Sequence, residues 1–152
     1  AHRQGQLLSP LVAPPGATLS QLEHRVGFYE TDAMGVGHHS NYLRFFERAR
    51  ALWLREHDRP YSEYMEMGLH FAVTRSEVDH HDSARFDDLL LVTTWAEWVR
   101  GASLRMAYSV ACGARPIASG ATEHASISSE NGRVRRIPAE ARGRLQALAP
   151  PS

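Results

Sequence analysis

Between Ser40 and His57 the apolar residues Tyr42, Phe45, Phe46, Ala49, Leu52 and Trp53 recur at spacings of three and four. That period places them on one stripe of an α-helix. Arg44, Glu47, Arg48, Arg55 and Glu56 fall mostly off the stripe. Ser40 or Asn41 suits the N-cap, and Pro60 ends the helix. A second, shorter helical piece follows from Ser62 to Met67 and stops at Gly68. From Leu69 the period shortens to two. HFAVTRSEVDH, LLLVTTWAEWV, MAYSVAC and ATEHASISS are rich in β-branched and aromatic residues and read as strands. Turn signals stand at Asp87-Asp88, Arg100-Gly101, Cys112-Gly113 and Asn131-Gly132. The strands follow too closely for helices between them, which predicts an antiparallel meander. Upstream, QLEHRVGFYE alternates Val26 and Phe28 on one face and reads as another strand. Pro138 to Ala147 suits a short terminal helix.

The order is strand, loop, long helix and four strands. A helix with a wide apolar stripe buries it against the apolar face of a sheet. The expected fold is therefore α+β, a curved antiparallel sheet wrapped around one long central helix. Such a sheet leaves open edges, so pairing with a second copy is expected. Residues 1–20, with Pro10, Pro14, Pro15, Gly5 and Gly16, read as a flexible N-terminal arm ahead of a single domain over 21–148.

The chain of 152 residues is long enough for one core, and 43% hydrophobic with 22% charged residues is ordinary for a globular domain. Lys and Arg balance Asp and Glu at 17 each, which argues against nucleic-acid binding. The lone Cys112 makes no internal disulfide. No apolar run reaches the roughly 20 residues of a membrane span. The opening segment lacks the apolar core of a secretory signal. A cytoplasmic protein is expected.

Candidate chemistry concentrates in the loop ETDAMGVGHHSN before the long helix. A helix N-terminus presents unpaired backbone N–H groups and a partial positive charge, a ready place for an oxygen that turns negative during reaction. Gly35 and Gly37 let backbone approach a ligand. Asp32 is a carboxylate beside that place, able to attack a carbonyl or take a proton from water. An aspartate before a helix also serves as a plain cap or turn residue, and spacing alone leaves both roles open.

The run VGFYETDAMGVGHHSNYLRFFERARALWLRE resembles the signature segment of the 4-hydroxybenzoyl-CoA thioesterase-like, YbgC-type hot-dog acyl-CoA thioesterases. Thr31-Asp32-Ala33, Gly35-Val36, His39, Asn41-Tyr42-Leu43, Phe45-Phe46-Glu47 and Ala49-Arg50 fall in register with it. HHDSARFDDLLLV is similar to the family's Ala-x-x-Asp-Asp segment, and ARPIASGATEHASISSENGRVRRIP to its last two strands. The resemblance implies the hot-dog fold. It also implies a thioesterase that hydrolyses an acyl-thioester to free acid and CoA thiol, with no cofactor because coenzyme A is part of the substrate. Asp32 matches the catalytic aspartate, nucleophile or general base. His39 matches the position at the helix start whose N–H polarises the thioester carbonyl. Gly35, Val36 and Asn41 fall at the substrate-binding loop. Family members are homo-oligomers, dimers often assembled into a homotetramer. The chain departs from the pattern at Glu30, Phe28, His38, Gly37 and Ser83, which bears on substrate choice more than on fold.

Other residues are weaker candidates. Arg100 and Arg105 flank a turn and are either solvated surface groups or a grip on CoA phosphates. His38-His39 and His80-His81 cannot chelate as adjacent pairs, and no spacing matches a known metal motif, so no metal is expected. Cys112 and Ser103, Ser109 and Ser119 lie in no nucleophile motif. Trp53, Trp95 and Trp98 read as packing residues. Two rival functions stay open: a hot-dog acyl-thioester dehydratase, and a non-catalytic acyl-CoA binding protein.

Overall fold

The computed structural model describes residues 11–37 and 39–151. Strand β1 (Ser20–Arg25) precedes a 3₁₀ turn (Phe28–Glu30), then helices α1 (Asn41–His57) and α2 (Tyr61–Glu66). Strands β2 (Leu69–His80), β3 (Leu89–Val99), β4 (Ser103–Cys112) and β5 (Arg115–Ser128) follow, and helix α3 (Ala139–Leu148) closes the chain. The first half of the expected N-terminal arm, residues 1–10, lies outside the described residues. Residues 18 and 19 are held to α1: Trp53 Nε1 donates to the Thr18 carbonyl at 2.9 Å, and His57 Nε2 lies 2.9 Å from the Leu19 carbonyl.

The five strands form one antiparallel sheet in the order β1-β3-β4-β5-β2. This corrects the expected meander. Only β3, β4 and β5 follow one another across the sheet. Strand β2 pairs with β5 instead, from Leu69 opposite Ser128 to His80 opposite Ala118. Residues 81–88 then carry the chain past β5 and β4 to the opening between β4 and β1. Three strand spacings amount to about 15 Å, which eight extended residues cover with ease. A short connection therefore does not force a hairpin, and adjacency in sequence misled the strand order.

Two other boundaries differ from expectation. The first strand stops at Arg25 because the Gly27 N–H donates to Glu30 Oε1 at 2.8 Å and fastens a turn. Phe28 and Tyr29 are left facing solvent. The segment expected to give the last two strands gives one, β5, followed by a single bridge between Ile127 and Val134.

Helix α1 lies across the concave face and buries Tyr42, Phe45, Phe46, Ala49, Trp53 and Leu54. Leu52, expected on the stripe, is only half-buried, and Leu54 takes the inner place. Each large apolar side chain removed from water contributes about 2 kcal/mol. At the centre Phe46 stacks on Tyr108, rings 4.2 Å apart and 6° from parallel. That stack is possible because Gly120, opposite Tyr108 on β5, has no side chain. Below the stack runs a buried polar chain. Tyr108 Oη is 2.6 Å from Thr122 Oγ1, and Thr122 Oγ1 is 2.8 Å from His124 Nε2.

A Cβ at Gly120 would meet the Glu77 carbonyl and the Phe46 ring, 2.8 Å away. Both neighbours are held by sheet and helix, so neither yields freely. Gly120→Ala is expected to destabilise the protein by about 2–3 kcal/mol. Urea unfolding checks this; a loss below about 0.5 kcal/mol would contradict the close approach.

Candidate active site

The loop between the 3₁₀ turn and α1 folds on itself through Asp32. The Asp32 N–H donates to the Val36 carbonyl at 2.9 Å, and the Gly35 N–H donates to the Asp32 carbonyl at 3.0 Å. Asp32 Oδ1 accepts from the N–H groups of Met34 (2.8 Å) and Val36 (3.2 Å). Gly35 sits at φ +75°, where a side chain is disfavoured. The crossover segment supports the loop from below. The Phe86 N–H donates to the Gly35 carbonyl at 3.2 Å, Val36 bridges to Arg85, and Gly37 lies against Ala84. The strand order thus creates the floor on which the loop rests.

Two buried groups join this loop to the helix. Asn41 Nδ2 donates to the Glu30 carbonyl at 2.9 Å, and Asn41 Oδ1 accepts from Arg44 at 3.0 Å. Glu30 is almost fully buried at 2% exposure. Its Oε1 also accepts from His24 Nε2 at 2.7 Å. Burial pushes the Glu30 carboxyl up, but the Gly27 N–H, the His24 bond and the charges of His24 and Arg44 outweigh it. The net result is a carboxyl held below the usual range.

Asp32 and His39 are both exposed in the loop ahead of α1, His39 just before the N-cap Ser40. Among the described residues the His39 N–H meets no acceptor. The His39 ring stacks on His80, centroids 4.0 Å apart and 21° from parallel. Two of the four histidines flagged by adjacency therefore do meet, while His38 lies outside the described residues. No group of three His, Cys, Asp or Glu suited to a metal is found among the described residues. A cavity of about 10 Å³ behind the loop, touching Glu30, Asn41 and Tyr42, has room for one water at most. A larger cavity of about 440 Å³ touches neither Asp32 nor His39.

The candidate residues do not all converge. Gly35 and Val36 fold around Asp32, Asn41 ties the Glu30 carbonyl to α1, and His39 meets His80. The Asn41 side chain bonds the Glu30 carbonyl and Arg44, and the Val36 N–H bonds Asp32. Arg100 is exposed on the β3–β4 hairpin with its guanidinium 3.8 Å from the Trp98 ring centre. It stands at the far end of β3, roughly 30 Å of strand from the Asp32 loop. Arg105 points from the sheet face opposite α1. Three carboxylates surround it, Glu97 at 2.8 Å, Glu123 at 2.6 Å and Glu77. Despite partial burial, these hold its ionisation above the ordinary arginine value. With three negative partners it is a poor anchor for a phosphate, and within one chain it does not join the site. The sequence reading missed the Glu30–His24 pair and the place of Arg50. Only Arg50 carried a signal, one turn from Phe46 and Trp53 on the buried side of the helix.

Comparison with known proteins agrees with this fold. A family model described as "Thioesterase superfamily" matches residues 34–116. The match begins just after Asp32 and includes His39 and Asn41. A protein of Aquifex aeolicus that carries an esterase name is 35% identical over 116 residues, 76% of this chain and 89% of that one. The acyl-CoA thioester hydrolase YbgC of Escherichia coli O6:H1 is 38% identical over 87 residues, 57% of this chain and 65% of that one. The crystal structure of DHNA-CoA thioesterase from Staphylococcus aureus superposes with a TM-score of 0.79 at 26% identity, covering 86% of this chain and 92% of that one. Sheet, helix and neighbours define a hot-dog thioesterase fold. The chain belongs to the thioesterase superfamily, a family of thioester hydrolases.

His124 is fully buried, and burial, with the charge of Arg50 adding, lowers its pKa to about 4. The Phe71 backbone opposes this from beyond hydrogen-bonding geometry. In the unfolded chain a histidine takes its proton near about 6.5. Stability is therefore expected to fall as pH drops from about 6.5 to 4, by up to about 1.4 kcal/mol per unit. The Glu30 contribution, present above its ordinary value, is lost at still lower pH. Urea unfolding at a series of pH values checks this: His124→Leu should flatten the slope above about pH 4.5, and an unchanged slope would contradict the assignment.

Proposed function

We propose that this protein hydrolyses an acyl-CoA or related acyl-thioester to the free acid and a thiol, using Asp32 and the backbone N–H of His39. The observation that carries the reading is a carboxylate fixed by two loop amides in the loop that leads into a buried helix, together with a His39 N–H that meets no acceptor among the described residues. A thioester carbonyl is already electrophilic and a thiolate leaves easily, so no serine triad is needed. The carbonyl oxygen accepts from the His39 N–H, and the helix dipole favours its developing charge. Asp32 attacks the carbonyl carbon, or takes a proton from the water that does. No cofactor enters this scheme. The chain spans 65% of the YbgC relative, and that protein's printed substrate class supports the acyl-CoA reading.

The reading includes a homo-oligomer, a dimer as the unit and a tetramer as its assembly. Strand β2 supports it. It is an edge strand of 12 residues, and Val73 on its concave side is 56% exposed. Open edges of that length invite pairing with a second copy. In this reading a second copy adds walls to the Asp32 site, since neither of the two cavities described above touches Asp32 among the described residues. A cytoplasmic location belongs to the same reading, supported by the lone Cys112 and by the lack, among the described residues, of a helix long and apolar enough to cross a membrane.

Asp32→Asn keeps the loop's hydrogen-bond acceptor and removes the charge. It is expected to lower thiol release from acyl-CoA at least a hundredfold while the unfolding midpoint stays near wild type. Retention of most activity would end the assignment of Asp32. Release of thiol from saturated acyl-CoAs by the wild type also separates hydrolysis from dehydration and from binding without turnover.

A further inference from the structure

Arg50 lies half-buried on α1 and lines the cavity of about 440 Å³. That cavity sits between α1, α2, α3 and the concave face of the sheet. Leu54, Phe71, Leu104, Met106 and Leu145 make it largely apolar, and the buried His124 also faces it. Its volume falls within the range of small-molecule pockets. The other arginines that are tied into the sheet or between helices, such as Arg59, Arg105 and Arg115, meet carboxylates there: Glu140, three glutamates, and Asp82 with Asp88. Arg50 has no carboxylate within 4 Å among the described residues, although Glu47 shares the same cavity. Its hydrogen bond to Tyr108 Oη is long, at 3.4 Å.

A guanidinium is always charged, and partial burial without a partner is costly. A plain alkyl chain would fill the apolar walls and leave that charge unmet. A small inorganic anion would meet the charge and leave the apolar walls wet. The lining asks for both at once: an apolar body that carries an oxygen acceptor. We propose that this cavity is the acyl pocket and that Arg50 selects acyl groups bearing a distal oxygen, a carboxylate before a hydroxyl. Along α1, Arg50 lies about 13 Å from Asn41, so the oxygen belongs at the end of a medium-length acyl group. The hydroxyls of Tyr108 and Thr122, with a neutral His124, keep Arg50 supported without neutralising it. The inference rests on the thioesterase reading and deepens it to a substrate class.

The test compares octanoyl-CoA, ω-hydroxyoctanoyl-CoA and suberyl-CoA with the full chain and with Arg50→Met and Arg50→Lys. Wild type is expected to favour suberyl-CoA over octanoyl-CoA by tenfold or more in kcat/KM, with the hydroxy acyl group between them. Arg50→Met should bring that ratio close to one, and Arg50→Lys should retain part of it. Calorimetry with the non-hydrolysable amide analogues of octanoyl-CoA and suberyl-CoA reads the same preference without turnover. A wild-type ratio near one in both assays, or a ratio unmoved by Arg50→Met, overturns the proposal. If no thioester is turned over but the analogues still show an Arg50-dependent preference, the pocket stands and the hydrolase reading falls.

Discussion

The structure depends on one packing constraint, the seating of α1 in the concave face of the sheet. Phe46 reaches the sheet only because position 120 has no side chain, and its stack on Tyr108 fixes helix depth and rotation. Once α1 is fixed, its first turn must emerge over the crossover segment that links β2 to β3. The loop at Asp32 is clamped between these two. The placement of the Asp32 loop is therefore tied to the packing of the core. The same seating leaves a large cavity further along the helix, with Arg50 on its wall.

Much of this was legible in the chain. The period-three-and-four stripe of α1, the strands β2 and β3 and the glycine-bearing loop before the helix formed within a residue or two of expectation, while β4 and β5 begin earlier than their β-rich runs, at Ser103 and Arg115. Strand order was not legible. Residues 81–88 look like a hairpin connection, and nothing local says that β2 docks on β5, since the partner is chosen by where α1 and α2 deliver the chain. The end of β1 was also hidden, because the bond from Gly27 to Glu30 that ends it involves a side chain that reads as an ordinary strand residue.

The site was legible in part, for a related reason. Residues contiguous in sequence, from Asp32 to Asn41, could be grouped from the chain alone. A phosphate grip stayed open for Arg105 because the three carboxylates around it come from β2, β3 and β5 and meet only after the sheet forms. Arg50 stood near the apolar stripe of α1 in the sequence, but its surroundings became visible only when the sheet placed a cavity in front of it. Charges reveal their role through their partners, and those partners here are non-local.

The central claim is that one small volume beside the first turn of α1 holds the reacting carbonyl. The most direct measurement is a crystal structure with a non-hydrolysable acyl-CoA analogue. The account requires the carbonyl oxygen within hydrogen-bond distance of the His39 N–H and the carbonyl carbon facing the Asp32 carboxylate, directly or through one water. A carbonyl bound away from both groups, with the protein otherwise unchanged, would contradict it.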